Sequence, residues 1–223
     1  NDVRDALLGF AAVNGRLPCP ASTTSNGYES FCTNATGACG PAVVVPPGVA
    51  QPHGRCSAPF NGYLPAATLG LQGASGGYLI DGLGPDPVNR IRYAVADNTA
   101  PLNNNGACSP ASPSYRLITG TCNEVKTDST NWTPSATNLL LRVCQDAGCA
   151  VQHVNNAVAV LVAPGKNGAG TGTDEAENYD GDNLFVSHSP TETGAPAGEF
   201  DDIVTWIAPS TLLNRLYQAG RLP

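Results

Sequence analysis

Ala6-Leu7-Leu8-Gly9-Phe10-Ala11-Ala12-Val13-Asn14-Gly15-Arg16-Leu17-Pro18-Cys19-Pro20 is the stretch that decides how this chain is organised. It reads as a helix running into a stop, and then into a cysteine. Val3, Leu7, Phe10 and Ala11 recur at i, i+4, i+7 and i+8, one apolar stripe on a 3.6-residue period. Asp2 and Asp5 sit where acidic side chains favour a helix start. Asn14-Gly15 ends the helix, with Gly15 suited to the left-handed residue after it, and Pro18 forbids continuation. The far end of the chain is built alike. Leu212, Leu213, Leu216 and Ala219 form a short apolar face, Pro209 suits a first turn, and Gly220 terminates. Both helices therefore close on the same four residues, Gly15-Arg16-Leu17-Pro18 and Gly220-Arg221-Leu222-Pro223, which is shared stop chemistry and not a repeat.

Between the two helices the pattern changes to strands and loops. Residues 20–62 are mostly loop, with turns at Asn26-Gly27 and Asn61-Gly62 and a short strand at Val43-Val44-Val45 closed by Pro46-Pro47. A helical turn is expected after Pro65, and a flexible turn at 73–77. Ile91, Tyr93 and Val95 alternate with Arg92 and Ala94, the period-2 pattern of a strand. Further strands are expected at 115–119, 139–143, 184–186 and 203–207. Residues Ala157 to Val162 are all apolar, which predicts a buried strand ended by Pro164-Gly165. Residues 165–182 read as a polar, glycine-rich loop. The expected class is α+β: an N-terminal α-helix packed on an antiparallel β-sheet with long disulfide-stapled loops.

Composition narrows the function. The chain has 223 residues, 41% hydrophobic and 13% charged, with Gly 25 and Pro 19. The charged share is well below the usual value of about 25%. The net charge is −7 and the only lysines are Lys126 and Lys166. With no basic face, direct nucleic-acid binding is not expected, nor is attraction to anionic lipid. Eight cysteines stand at 19, 32, 39, 56, 108, 122, 144 and 149. None forms a CxxC knuckle, and His53, His153 and His188 are scattered, so disulfides are favoured over zinc. Pairing near in sequence predicts Cys19–Cys56, Cys32–Cys39, Cys108–Cys122 and Cys144–Cys149, each bridge contributing about 2–4 kcal/mol. Disulfides require an oxidising compartment. Residues 1–223 include no signal peptide or membrane-length apolar run, so an export or membrane segment preceding Asn1 is expected.

The helix exit, from Ala6-Leu7-Leu8-Gly9-Phe10-Ala11 to Asn14-Gly15-Arg16-Leu17-Pro18-Cys19-Pro20, resembles the exit from the long N-terminal helix of type IV pilin-like proteins. So do Gly62-Tyr63-Leu64-Pro65 through Thr68-Leu69-Gly70-Leu71. Asp81-Gly82-Leu83-Gly84 followed by Asn89-Arg90-Ile91-Arg92-Tyr93-Ala94-Val95 is similar to the block by which pseudopilins enter their sheet, although Leu83 replaces a common Trp and Pro85-Asp86-Pro87 reads as an insertion. Asn156 to Val162 with Pro164-Gly165-Lys166-Asn167-Gly168, and Glu199-Phe200-Asp201-Asp202-Ile203-Val204-Thr205-Trp206-Ile207, also fit. The resemblance covers about half the chain. It implies a pilin fold, with residues 1–15 as the second half of the long helix and 16–223 as the globular head. It implies a structural subunit of a type IV pilus, minor pilin or secretion pseudopilus, not an enzyme, serving attachment, motility or DNA uptake. Its partners would be other pilin subunits in a helical filament, the assembly machinery and, through the missing helix, the inner membrane. The head would be periplasmic before assembly and extracellular after it. Filament contacts of this kind do not close on themselves, so the head alone is expected to be monomeric.

The richest chemistry lies in Asp174, Glu175, Glu177, Asn178, Asp180 and Asp182. Calcium takes six to eight oxygen ligands on a flexible loop. Asn178, Asp180 and Asp182 alternate like the first ligands of an EF-hand, but Asn183 stands where that loop needs Gly and Ser189 where it needs Glu, so an EF-hand is rejected. A calcium loop of another type, which the resemblance allows because some pseudopilin heads carry one, and a solvated acidic loop both stay open. With calcium, the head would read as a tip adhesin or lectin-like module. Gly73-Ala74-Ser75-Gly76-Gly77 matches the G-x-S-x-G elbow of hydrolases, yet its flanks lack the strand and helix an elbow needs; a secreted hydrolase using Ser75 ranks last. The glycines at 165–172 do not match phosphate-loop spacing. Sequons at Asn34 and Asn131 are expected to go unused in a bacterial protein. Trp132 reads as covering a sheet edge and Trp206 as core.

Overall fold

A computed structural model describes residues 2–14, 16–33, 39–46, 56–71, 76–96, 140–168 and 172–220, together with the backbone of two short strands at 119–121 and 124–125. Helix α1 spans Asp2–Asn14 with Asp2 and Asp5 in its first turn. Its inward face is Leu7, Leu8 and Ala11, with Val3 packed partly beside them. Leu8 therefore takes the place expected of Phe10. Phe10 turns toward the helix exit, where the Arg16 guanidinium lies 5.0 Å from its ring centre.

The sheet beneath α1 has four antiparallel strands, in spatial order β11 (Ile203–Ile207), β9 (Ala159–Ala163), β4 (Arg92–Val95) and β3 (Gly62–Tyr63). Tyr93 lies opposite Leu161 and Ile207 opposite Ala159. Tyr93, Ala94 and Val95 are all buried, because both faces of β4 are covered. Leu7, Leu8 and Ala11 of α1 share one core with Tyr93, Val95, Val158, Val160 and Ile207. Helix α3 (Pro209–Gln218) adds Leu212 and Leu216, starts on Pro209 as expected, and stops at Gly220 with φ +66. It packs beside α1, where Arg4 donates to Thr211 Oγ1 at 3.5 Å.

A second sheet has the order β10 (Leu184–Val186), β7 (Leu141–Cys144), β8 (Gln152–Ala157). Here the expectation of a purely antiparallel arrangement does not hold, since β10 runs parallel to β7. The long excursion through β8, β9 and the next helix makes that possible, because a parallel pair needs a crossover of a dozen residues or more. The apolar run 157–162 is not one isolated strand either. It is the inner half of a strand pair, β8 and β9, that changes sheets at Val158. That residue stays paired across the bend: its N–H donates to the Ile207 carbonyl at 2.9 Å, and its carbonyl accepts from Ala96 N at 3.0 Å.

The loops are stapled as the spacing predicts. Cys19–Cys56, Cys32–Cys39 and Cys144–Cys149 are bonded. Cys108 and Cys122 lie outside the described residues, as do Gly15, Ser75, both sequons and Trp132. Strand β1 (Ser30–Cys32) pairs with β2 (Ala42–Val44), and β5 (Thr119–Thr121) with β6 (Glu124–Val125). Residues 66–70 form a turn, with Leu69 N donating to Pro65 O at 3.0 Å. No helix among the described residues is long and apolar enough to cross a membrane.

Candidate functional site

The segment after β9 is less of a loop than its composition suggests. Residues Thr173–Glu177 form a short helix, α2, and Glu175 within it is fully buried. Buried carboxylates need donors, and those of Glu175 come from two distant blocks. Asp201 N donates to Glu175 Oε1 at 2.8 Å, and Asn167 Nδ2 donates to Oε2 at 3.0 Å. Lys166 N in turn donates to Asp201 Oδ2 at 2.8 Å. Gly165 N donates to Asp81 Oδ2 at 2.8 Å, while Asn89 Nδ2 donates to both Asp81 oxygens and to the Gly165 carbonyl. Gly165 has φ +73, and a Cβ there would fall 2.1 Å from Asp201 Oδ1, so only glycine fits. Three sequence blocks, 81–89, 164–168 and 199–202, thus meet the acidic segment in one hydrogen-bonded knot.

Asp202 is a second buried acid of this knot, 6% exposed. It accepts from Asn178 Nδ2 at 2.8 Å and from the Tyr179 hydroxyl at 2.7 Å. Burial pushes its carboxyl up to about 7; the two donors oppose this, and the Glu175 and Asp201 charges add to it. Burial also raises Glu175. Asn178 is held on a second side as well. Its side chain accepts from Val186 N at 2.7 Å and donates to Val186 O at 3.2 Å, behaving as an extra strand residue at the β10 edge. The Tyr179 ring continues a ladder of rings and guanidinium groups. Arg92 lies 5.2 Å from the rings of Tyr179 and Tyr63, and Arg90 lies 5.5 Å from Tyr63 and 3.8 Å from Tyr78. Arg90 is also paired with Asp86.

The six residues singled out as a calcium loop separate into four groups. Glu177, Asp180 and Asp182 converge, with carboxylate oxygens within 4.8 Å of one another at the surface. Burial, followed by the Asp180 and Asp182 charges, raises Glu177. Asp180 Oδ1 accepts from Asp182 N at 3.0 Å and Asp182 Oδ1 from Leu184 N at 2.6 Å, so one oxygen of each is held by the turn. Glu175 instead joins Asp201 and Asp202 in a second, buried group. Asn178 is committed to Val186 and Asp202. Asp174 accepts from Ala147 N at 2.9 Å, inside the Cys144–Cys149 loop, and lies 3.3 Å from His188 Nε2. The His188 ring stacks on Phe200 at 3.9 Å.

The two acidic groups differ in what they can hold. In the buried one, both oxygens of Glu175 and of Asp202 already receive N–H or O–H donors, and a cation would have to displace them. The exception is Asp201 Oδ1, which is buried with no hydrogen-bond partner. The surface group keeps free carboxylate oxygens, so Glu177, Asp180 and Asp182 are the residues able to ligate a divalent ion. Asp81, Asn89, Asn167, Asp201 and Asp202 were not legible as site residues; they stand in three separate blocks of sequence, and only the fold brings these together. Ser75 lies outside the described residues, but its neighbours at 66–70 and 76–77 are turns. No protein-family model, curated protein or solved structure matches this chain.

Proposed function

We propose that this chain is the exported head of a type IV pilin-like subunit, a structural component of a pilus or secretion pseudopilus. The observation that carries this reading is the seating of α1. Its Leu7, Leu8 and Ala11 lie in the core of a four-stranded antiparallel sheet, and the exit from the helix is clamped by Cys19–Cys56. A helix placed in this way is suited to continue a longer apolar rod while the head faces outward. The disulfides agree with assembly outside the cytoplasm. The partners in this reading are neighbouring subunits, the assembly machinery and the inner membrane, and the product is an extracellular filament. The exposed turn Glu192-Thr193-Gly194 offers the test. An epitope inserted there in the full gene product should decorate filaments along their length in immunoelectron microscopy. Recovery of the product only as free secreted protein would overturn the reading.

A second reading, a calcium-dependent adhesin, is favoured by the convergence of Glu177, Asp180 and Asp182. Bound calcium would neutralise these charges and tie the end of α2 to the approach of β10. Saturating calcium should then raise Tm, as any ligand of the native state does, and Asp180→Asn with Asp182→Asn should abolish the rise. An unmoved wild-type Tm sinks this reading and leaves the first intact.

A further inference from the structure

We propose that Cys144–Cys149 is an exchangeable disulfide: an external dithiol opens it ahead of Cys19–Cys56 and Cys32–Cys39, and its opening uncaps a small core beside α2. This inference does not depend on the filament reading. The bridge closes the turn between β7 and β8, with a sequence separation of 5. Cys149 N donates to Asp146 O at 3.0 Å, and Gln145 N to Val151 O at 2.9 Å. Cys149 stands at φ +52. Among the described residues, the other non-glycine residue at positive φ is Asn26, and asparagine is a type whose short side chain tolerates that conformation. Cysteine is not, so this turn carries backbone strain. No cysteine of the other two bridges is left-handed. Access differs as well. Cys19 and Cys56 are both buried, whereas Cys149 is half-buried between exposed Gly148 and Ala150. Cys39 is half-buried too, so strain and not access separates Cys32–Cys39 from this bridge. Strained or exposed disulfides are the ones that reduce readily.

The exchange runs through a mixed disulfide. A thiolate of the dithiol attacks Cys149 Sγ, a new S–S bond forms, and the bond to Cys144 breaks. Cys144 leaves as a thiolate and takes up a proton from solvent; the neutral thiol behaves as a small hydrophobe and suits its apolar surroundings. The second thiol of the reductant loses its proton and attacks the reductant's sulfur in the mixed disulfide. Cys149 is expelled and takes up a proton. The dithiol is oxidised and the bridge reduced, a two-electron couple. What the bridge holds is the cap of a small core. Cys144, Leu184, Val186 and Phe200 form that core, with Ala147 and Cys149 packed against it. The same turn reaches α2, where Asp174 Oδ1 accepts from Ala147 N at 2.9 Å. Asp174 also lies 3.3 Å from His188 Nε2, and the His188 ring stacks on Phe200. Reduction lets Cys149 leave its left-handed conformation, and the turn then releases both the core and the start of α2.

The test uses the oxidised chain without denaturant, equilibrated in dithiothreitol buffers of graded reduced-to-oxidised ratio. Free thiols are trapped with iodoacetamide and mapped by peptide mass spectrometry, with Cys108 and Cys122 followed separately. Cys144–Cys149 should be half open at a ratio at least about tenfold lower than Cys19–Cys56 or Cys32–Cys39 requires. At a ratio that opens it first, amide hydrogen exchange should speed by at least about tenfold at Ala147 and through Thr173–Glu177, and stay unchanged in α1 and β4. Opening together with or after either of the other bridges overturns the proposal. So does opening first with no change at α2, or with faster exchange throughout the chain, α1 included. A chain carrying Cys144→Ser and Cys149→Ser should show the faster exchange at α2 with no reductant present, and wild-type rates there overturn the proposal as well. Should that variant fail to fold, the reduction of the wild-type protein decides by itself.

Discussion

Glu29 sits 4% exposed beneath the exit of α1 and does two things at once. It pairs with Arg16, with Nη2 at 3.0 Å from Oε1, and it accepts the Cys19 N–H at 2.8 Å. Arg16 is itself buried, and it also donates to the Leu17 carbonyl at 3.1 Å. Truncating Glu29 would remove the counter-charge of a buried guanidinium and the carboxylate acceptor of the Cys19 N–H together. Breaking such a pair on one side costs about 3–5 kcal/mol, so Glu29→Ala should lower the unfolding free energy from urea titration by that much. Glu29→Gln, which keeps the acceptor for Cys19, should lose less. Gly165 is a second decisive residue. An alanine there must hold a left-handed backbone, at about 1–3 kcal/mol, and also push its Cβ into Asp201. Gly165→Ala should fall at or beyond the upper end of that range by the same measurement. Gly70→Ala, also at positive φ but with nothing within 4 Å of the added Cβ, should show the backbone cost alone.

The elements show what could be read beforehand and why the rest could not. Helices with sharp stops were legible, because glycine and proline write chain termination into the local sequence. The run 157–162 was legible as buried strand because no polar residue interrupts it. Its outer half, Gln152 to Asn156, was not, since β8 is an edge strand whose polar residues face water and so carry no apolar alternation. α2 was hidden for the opposite reason. Its buried face is Asp174 and Glu175, and burial of charge is set by donors supplied from residues 147, 167 and 201, none of them local. In α1 the buried stripe departs from the sequence period: Leu8 is inside and Phe10 is half-buried against Arg16. Which of two apolar neighbours faces inward depends on what lies beneath, and the sequence period alone does not choose. The docked face can be tested directly. Leu7→Ala should cost about 2–5 kcal/mol, whereas Val13→Ala, at a side chain 69% exposed, should stay within about 0.5 kcal/mol. Equal effects in chemical denaturation would mean that α1 is not seated on the sheet by this face.

At the scale of the whole molecule, stability is assembled from staples as much as from core. The Cys19–Cys56 bridge closes a separation of 37 residues, against 7 for Cys32–Cys39 and 5 for Cys144–Cys149. Loop-entropy reasoning assigns it about 4 kcal/mol and the short ones about 2 kcal/mol each. Replacing both cysteines of a pair with serine should rank the losses in that order, with Cys19 and Cys56 doubly costly because both are buried. Charge acts over the same scale. The chain carries −7 at neutral pH with a pI near 4.7, so self-repulsion grows as pH rises. Ionisation of Asp202 acts in the same direction. The folded group, pushed up to about 7, keeps its proton where an unfolded aspartate, at about 3.9, has lost it, so stability falls as pH rises between those values. Salt separates the two. A diffuse surface charge is screened once the Debye length shrinks to about 3 Å in molar salt, while a carboxylate crowded by its neighbours in the interior is screened far less. Thermal unfolding across the neutral range should therefore keep much of its pH slope in molar sodium chloride. The slope that survives should be the part lost in Asp202→Asn. A slope that vanishes in salt for the unmodified protein would place the pH dependence on the surface and leave the buried acids without a role in it.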